Sequence, residues 1–431
     1  MISEEKFMLA IKGSSPVVKN PIKPFSAIGA EEKEAINRVL ENGSPLSGFY
    51  GSPQPRFYGG AEVQSLEEEW CQKFHCKHAI SVNSATSGLI AMMGAIGIEP
   101  GDEVIVSPYS MSASAIAPLF YGGIPVFADI EADYFCLDIE DVKRKTTSKT
   151  KAILVVNLFG HPAELKKLRA FADEKGIYLI EDNAQAVLGE EEGRLCGNIG
   201  HGGVYSMNIH KHIHSGEGGI CVTENEEIAQ RLKLIRNHGE NCVEWLEEKN
   251  LSNMIGFNFR QTEIGAALAR AQLKKLDPLV KRCEDIAQAL TDGLKGLDGL
   301  TPPKVREKCR HNYFMWTVKY DRSRMEVSRQ EFCEALRAEG VPIVQGYVRP
   351  LYHLPLFQKK IAIGSKGFPF SLGSVNYEKG LCPVAERMHF EEVIQFQPVS
   401  WDLGSDQIEK VIEAFHKVHD FYSKQSKKAA S

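Results

Sequence analysis

Lys151-Ala152-Ile153-Leu154-Val155-Val156, an amphipathic run over residues 164–175, and Ile177-Tyr178-Leu179-Ile180 form a strand, a crossover helix and a second strand in succession. The two apolar runs are short and continuous rather than alternating, so each strand is expected to be covered on both faces. That pattern belongs to a mostly parallel sheet with helices packed on either side. Ligands of such sheets sit beyond the carboxyl ends of the strands. Glu181-Asp182-Asn183-Ala184-Gln185-Ala186 follows the second strand directly, which puts the Asp182 carboxylate where a ligand would meet it.

The same alternation continues outward. Glu103-Val104-Ile105-Val106 and Ile124-Pro125-Val126-Phe127 read as further strands, and residues 63–73 and 85–96 as helices. Between residues 260 and 297 apolar residues recur at helical spacing through Ile264, Ala267, Leu268, Leu273, Leu279, Ile286 and Leu290, interrupted only by Pro278. This long helical stretch is expected to bridge two domains. Beyond it come a strand over 313–319, a helix over 329–339, a strand over 341–345 and a last helix over 406–422, which make a smaller α/β lobe. The division expected is an N-terminal segment and loop over 1–60, a large domain over 61–280 and a small domain over 281–431. Residues 30–41 form an amphipathic segment, and the Gly/Pro/Ser-rich stretch 42–60 is a loop carrying Phe49, Tyr50, Phe57 and Tyr58. Those aromatics either line a pocket or subunit contact, or pack onto their own domain. The polar, basic tail 424–431 is expected to fray.

Bulk properties exclude several classes. With 51 basic and 56 acidic residues and a formal charge of −5, the chain has no field that would draw in nucleic acid or an anionic membrane. The ten cysteines lack the paired spacing of a zinc site or redox couple and read as reduced thiols. No window is apolar enough to span a bilayer, and the charged Met1-Ile2-Ser3-Glu4-Glu5-Lys6 does not resemble a secretion signal. A cytoplasmic protein with a small-molecule ligand is the expectation.

Three further stretches carry chemistry. Asn83-Ser84-Ala85-Thr86-Ser87-Gly88-Leu89 follows a strand-like run and opens a helix, leaving backbone N–H groups to receive an anion such as a phosphate; an ordinary helix cap is the alternative. Tyr205-Ser206-Met207-Asn208-Ile209-His210-Lys211 brings an amine five residues after a serine. Gly216-Glu217-Gly218-Gly219 then allows a tight backbone turn beside a ligand. An amine to hold an aldehyde and a carboxylate to keep a pyridine nitrogen protonated are the two groups a pyridoxal phosphate site requires.

The order S-x-T-x-G, E-D-x-A-Q-A, S-x-x-x-x-K with G-E-G-G, Gly256-Phe257-Asn258-Phe259-Arg260 and Cys382-Pro383-Val384-Ala385-Glu386-Arg387 resembles the DegT/DnrJ/EryC1/StrS aminotransferases over residues 63–410. The resemblance implies the fold type I architecture of aspartate aminotransferase. It makes Lys211 the Schiff-base lysine and Asp182 the partner of the pyridine nitrogen. It also places Gln185 near the ring's phenolic oxygen, Ala184 under the ring, and Ala85, Thr86 and Ser206 on the phosphate. Asn258, with Arg260, resembles the segment that a neighbouring subunit contributes to that phosphate, which implies a homodimer with shared active sites.

Two positions depart from the family pattern. Met111 stands where an aromatic usually stacks on the ring, with Tyr109 a weaker substitute, and Asn157 stands where the family often has a substrate-contacting histidine. His210, His212 and His214 would share a face only in an extended strand, and no cysteine or acid completes a ligand set. No metal is expected, and the three are expected to pack near the cofactor or touch substrate oxygens. The implied reaction moves an amino group from L-glutamate or L-glutamine to a keto sugar, a nucleotide-linked 3- or 4-keto-6-deoxyhexose first and a keto-cyclitol second. Lys211 argues against a sugar dehydratase, which carries histidine there. Asp182, Gln185 and Lys211 argue against a non-catalytic sugar-binding protein, and no cysteine sits in a desulfurase-like loop. The variable loops expected to read the acceptor are 49–58, 210–214 and 345–353.

Overall fold

The computed structural model describes residues 8–43 and 46–423; the tail expected to fray lies outside them. A seven-stranded sheet forms the centre of the larger lobe. In chain order its strands are β1 (His78–Val82), β2 (Glu103–Val106), β3 (Ile124–Phe127), β4 (Thr150–Val156), β5 (Tyr178–Asp182), β6 (Gly202–Ser206) and β7 (Gly219–Thr223). In space they run β1-β7-β6-β5-β4-β2-β3. Only β7 is antiparallel to its neighbours, while β2 to β6 pair in parallel. A mixed sheet of this kind, flanked by helices, is the fold type I α/β architecture.

Burial explains the strand sequences. In β4 every residue except Lys151 is buried, and β3 and β7 are buried throughout, as a sheet covered on both faces requires. Helix α1 (Ala30–Glu41) packs on the lobe through Ala35 and Val39. Helix α2 (Ala61–Phe74) buries Val63, Leu66, Trp70 and Phe74, the last two stacked at 4.5 Å. Helix α3 (Ala85–Ala95) is apolar on nearly every side and buried on nearly every side. Its Ser84 cap accepts from the Ser87 amide at 3.0 Å. Helix α4 (Leu165–Lys175) is the crossover between β4 and β5, and α5 (Glu226–Arg236) follows β7 under an Asn225 cap.

The helical stretch expected to be broken at Pro278 is broken earlier. Helix α6 (Glu263–Leu273) ends before Lys274 and Lys275, and α7 (Leu276–Gly293) begins two residues ahead of the proline. Pro278 therefore lies in the first turn of α7, where no intrahelical N–H bond is lost. Helix α7 buries Leu276, Val280, Cys283, Ile286 and Leu290 as one stripe and spans the expected 280/281 boundary. Its second half packs with a four-stranded sheet built from β8 (Leu300–Thr301), β9 (Trp316–Tyr320), β10 (Val344–Gln345) and β11 (Val393–Phe396) in the order β8-β9-β11-β10. Helices α8 (Arg329–Ala338) and α9 (Ser405–Tyr422) complete this second core. The strand expected over 341–345 is confined to β10. The chain between β10 and β11 turns back onto the large lobe and buries Leu351, Tyr352, Phe357 and Phe370 in its core.

Of the loop aromatics, Phe49 and Phe57 are buried in their own chain. Tyr58 meets Trp245, and Tyr50 is largely exposed. All ten cysteines are free. Among the described residues, no helix is long and apolar enough to cross a membrane.

Candidate active site

The carboxyl ends of β5 and β6 and the start of α3 meet at one cavity of about 610 Å³. It is lined by Ala85, Thr86, Met111, Asp182, Ala184, Gln185, Ser206 and Lys211, with His210, Phe314 and Tyr347. Register produces the meeting. Asp182 pairs with Val204 across β5 and β6, so the acid stands beside the end of the strand that leads to the lysine loop. Gly219 pairs with both Ser206 and Val82, so β7 brings that loop back against the start of α3.

Lys211 is placed by a compact hairpin. Its amide donates to Asn208 O at 2.9 Å, Met207 N to Gly218 O at 2.9 Å, and Ser215 N to Met207 O at 3.0 Å. The glycines answer specific crowding. Gly216 adopts φ +84°. A Cβ on Gly219 would lie 2.7 Å from Ala85 N, and one on Gly218 would lie 2.8 Å from Ser215 Oγ. The Lys211 amine has no hydrogen-bond or ion-pair partner among the described residues; the Phe314 ring lies 4.5 Å from Nζ. Burial lowers its pKa from 10.5 to about 8, and the charge of Asp182 opposes the shift.

Asp182 is buried at the cavity wall. Its Oδ2 accepts from Ser114 Oγ at 2.7 Å and its Oδ1 from Ala184 N at 3.0 Å. Burial nonetheless raises its pKa against both hydrogen bonds and the Lys211 charge. Gln185 is oriented from two sides: Oε1 accepts from Phe159 N at 2.7 Å, and Nε2 donates to Tyr347 Oη at 2.8 Å. Ser206 Oγ accepts from Asn208 N at 3.3 Å. The first-turn amides of α3, at Ala85 and Thr86, have no intrahelical acceptor and open toward the same cavity.

This donor set fits pyridoxal phosphate. An unpartnered, partly deprotonated amine stands in one cavity with a buried carboxylate and a helix start that favours an anion.

The other expected residues divide between the cavity and its surroundings. Met111 lines the cavity and is 63% exposed, whereas Tyr109 is fully buried behind it against Phe159 and Tyr347 and offers no face to the cavity. Asn157 is a buried strut with no lining role: its Nδ2 donates to Asn183 Oδ1 at 2.6 Å and Glu181 Oε2 at 3.2 Å, and its Oδ1 accepts from Ala163 N at 2.9 Å. The histidines do not share a strand face. His210 lines the cavity, buried His212 meets Asn312 O through Nε2 at 3.1 Å, and His214 takes a separate setting beside Gln272. Among the described residues, no three His, Cys, Asp or Glu side chains come together as a metal cage. Asn258 and Arg260 are absent from the lining of this chain's own cavity. The Asn258 carbonyl meets Asn83 Nδ2, and Arg260 Nε is buried with no hydrogen-bond partner among the described residues.

Reading the sequence missed Ser114, Phe314 and Tyr347. Tyr347 falls within the 345–353 loop expected to read the acceptor, but the long-range contacts of all three leave no local pattern.

The model of the DegT/DnrJ/EryC1/StrS aminotransferase family matches residues 52–416. The chain is 29% identical over 408 residues to the spore coat polysaccharide biosynthesis protein SpsC of Bacillus subtilis (strain 168), covering 93% of this chain and 98% of that protein. It is 32% identical over 302 residues to GDP-perosamine synthase of Vibrio cholerae, covering 69% and 80%. Among solved structures, DesV of S. venezuelae in complex with a ketimine intermediate superposes with a TM-score of 0.76 at 30% identity, covering 90% of this chain and 94% of that one. The protein belongs to the DegT/DnrJ/EryC1/StrS aminotransferase family and is a pyridoxal-phosphate-dependent aminotransferase.

Proposed function

We propose that this enzyme transfers an amino group from L-glutamate or L-glutamine to a nucleotide-linked 3- or 4-keto-6-deoxyhexose in amino-sugar biosynthesis, in the cytoplasm. The observation that carries the reading is the pairing of an unpartnered Lys211 amine, at about pKa 8, with the buried Asp182 carboxylate in one cavity. Pyridoxal phosphate supplies an electron sink when bound, which makes a carbon-bound proton removable.

The residues that would hold it are Lys211 at the aldehyde, Asp182 at the ring nitrogen, Gln185 at the phenolic oxygen, and Ala184 and Met111 on the two ring faces. A thioether covers a π face with a softer contact than an aromatic ring. Ala85, Thr86 and Ser206 would hold the phosphate together with the partner subunit's Asn258 and the partner subunit's Arg260. Exposure of Leu251 and Ile255 supports an apolar contact with a second copy of the chain.

Lys211 Nζ then moves the protons. With a pKa near 8 it is unprotonated often enough at neutral pH to accept a proton from the donor's α-carbon, and in the other half-reaction it returns one to the acceptor carbon. Ionised Asp182 holds positive charge at the far end of the ring throughout. Phe314, Met315 and Tyr347 wall the site from the small lobe and limit water around the amine.

Incubating the holoenzyme with L-glutamate and a panel of keto sugars tests the reading. 2-Oxoglutarate should exceed about one equivalent per active site, the yield of the donor half-reaction alone, only when a nucleotide-linked keto-hexose is present. Release driven by scyllo-inosose and by none of the nucleotide sugars would replace the acceptor with a cyclitol.

A further inference from the structure

Asp182 receives two hydrogen bonds from protein, and they come from different places in the chain. The Ala184 amide is local and follows from the turn after β5. The Ser114 hydroxyl arrives from a short helix, Ala113–Ile116, that begins two residues after Met111. Ser114 is fully buried, between Ala113, which lines the cavity, and buried Ala115. A helical serine ordinarily satisfies its hydroxyl on the carbonyl one turn back. This one instead crosses 68 positions of sequence to reach Oδ2 at 2.7 Å.

We propose that Ser114 is a positioning residue for the cofactor: donating to Oδ2, it keeps Asp182 ionised and its carboxylate plane fixed toward the ring nitrogen. The proposal rests on the reading of Asp182 as the partner of that nitrogen. With Ala184 on Oδ1 and Ser114 on Oδ2, each oxygen is held by one donor and keeps lone-pair capacity for another. Rotation of the carboxyl group would break both bonds. Without Ser114, Oδ2 would lose its only donor among the described residues, in surroundings whose burial already raises the carboxyl pKa. A neutral Asp182 cannot stabilise a protonated ring nitrogen.

The test uses two ligands that differ at one atom. Cofactor-free full-length protein is titrated with pyridoxal phosphate and with its 1-deaza analogue, which carries carbon in place of the ring nitrogen, and binding is read from visible absorbance. Wild type, Ser114→Ala, Ser114→Cys and Asp182→Ala are compared. The two serine variants remove the strong donor while differing in volume, so either folded variant suffices. Ser114→Ala and Ser114→Cys should weaken pyridoxal phosphate by about tenfold, the value of one hydrogen bond to a charged group. They should leave the deaza analogue within about twofold of wild type by the same reasoning.

Equal weakening of both ligands would show a packing role and overturn the proposal, as would no weakening of either. Asp182→Ala separates the two readings. If it also fails to distinguish the ligands, the assignment of Asp182 to the ring nitrogen falls first. If it distinguishes them and the serine variants do not, the Ser114 proposal alone is overturned.

Discussion

Holding Lys211 as a free amine should cost the cofactor-free protein stability, and the cost should disappear with pH in a defined window. Burial moves the amine from 10.5 to about 8. At about 1.4 kcal/mol for each pH unit, the gap corresponds to about 3 kcal/mol. This is an upper figure, because the amine borders an open cavity and is partly solvated. The sign follows from proton binding. Between about pH 8 and 10.5 the unfolded chain still holds the proton that the folded protein has released, so stability rises with pH across that window. Below about pH 8 both states are protonated and the full cost is present. Lys211→Met removes the titrating group and keeps an unbranched apolar stem. Urea midpoints of cofactor-free wild type and variant, measured at both ends of the window, should diverge: wild type gains about 2–3 kcal/mol that the variant does not. Parallel curves would mean that the amine is solvated like any surface lysine, and the argument for an activated base would fail.

Three further outcomes are expected. Gly219→Ala places a methyl group 2.7 Å from Ala85 N and should displace the start of α3, weakening cofactor binding more than about tenfold while far-UV circular dichroism stays unchanged. Glu181 accepts from the amides of Gly197, Ile199 and Gly200 at 2.7, 2.9 and 2.6 Å. Its replacement by alanine strands three backbone donors, two of them in buried contacts, so denaturation should show a loss of about 3 kcal/mol. Tyr347→Phe leaves Gln185 Nε2 without its acceptor, and a drop of about 1–3 kcal/mol is expected in the same assay. Unchanged midpoints would refute either contact.

What could be read from residues alone was what local pattern encodes. The β4-α4-β5 unit was legible because its strands are continuous apolar runs and its helix is amphipathic. The position of Asp182 followed, since the end of a parallel strand is a fixed place in such sheets. The break between α6 and α7 falls at Lys274 and Lys275 rather than at Pro278, because a proline in a first turn breaks nothing. His210, His212 and His214 could share a face only in an extended strand, and the chain turns at Asn208 and sends the three rings to different settings. Asn157 read as a departure in a substrate contact and is a strut between Glu181 of β5 and the loop at Ala163. Ser114 and Tyr347 were invisible for a different reason. Each meets its partner across 68 and 162 positions respectively, and only the assembled sheet and the returning small-lobe loop bring them there.

In the proposed mechanism one amine holds the cofactor. Borohydride reduction of the holoenzyme followed by peptide mapping measures this directly. The label should appear on the peptide containing Lys211 and on no other. A label on a different lysine, or a protein that takes up pyridoxal phosphate and carries no label, would contradict the account.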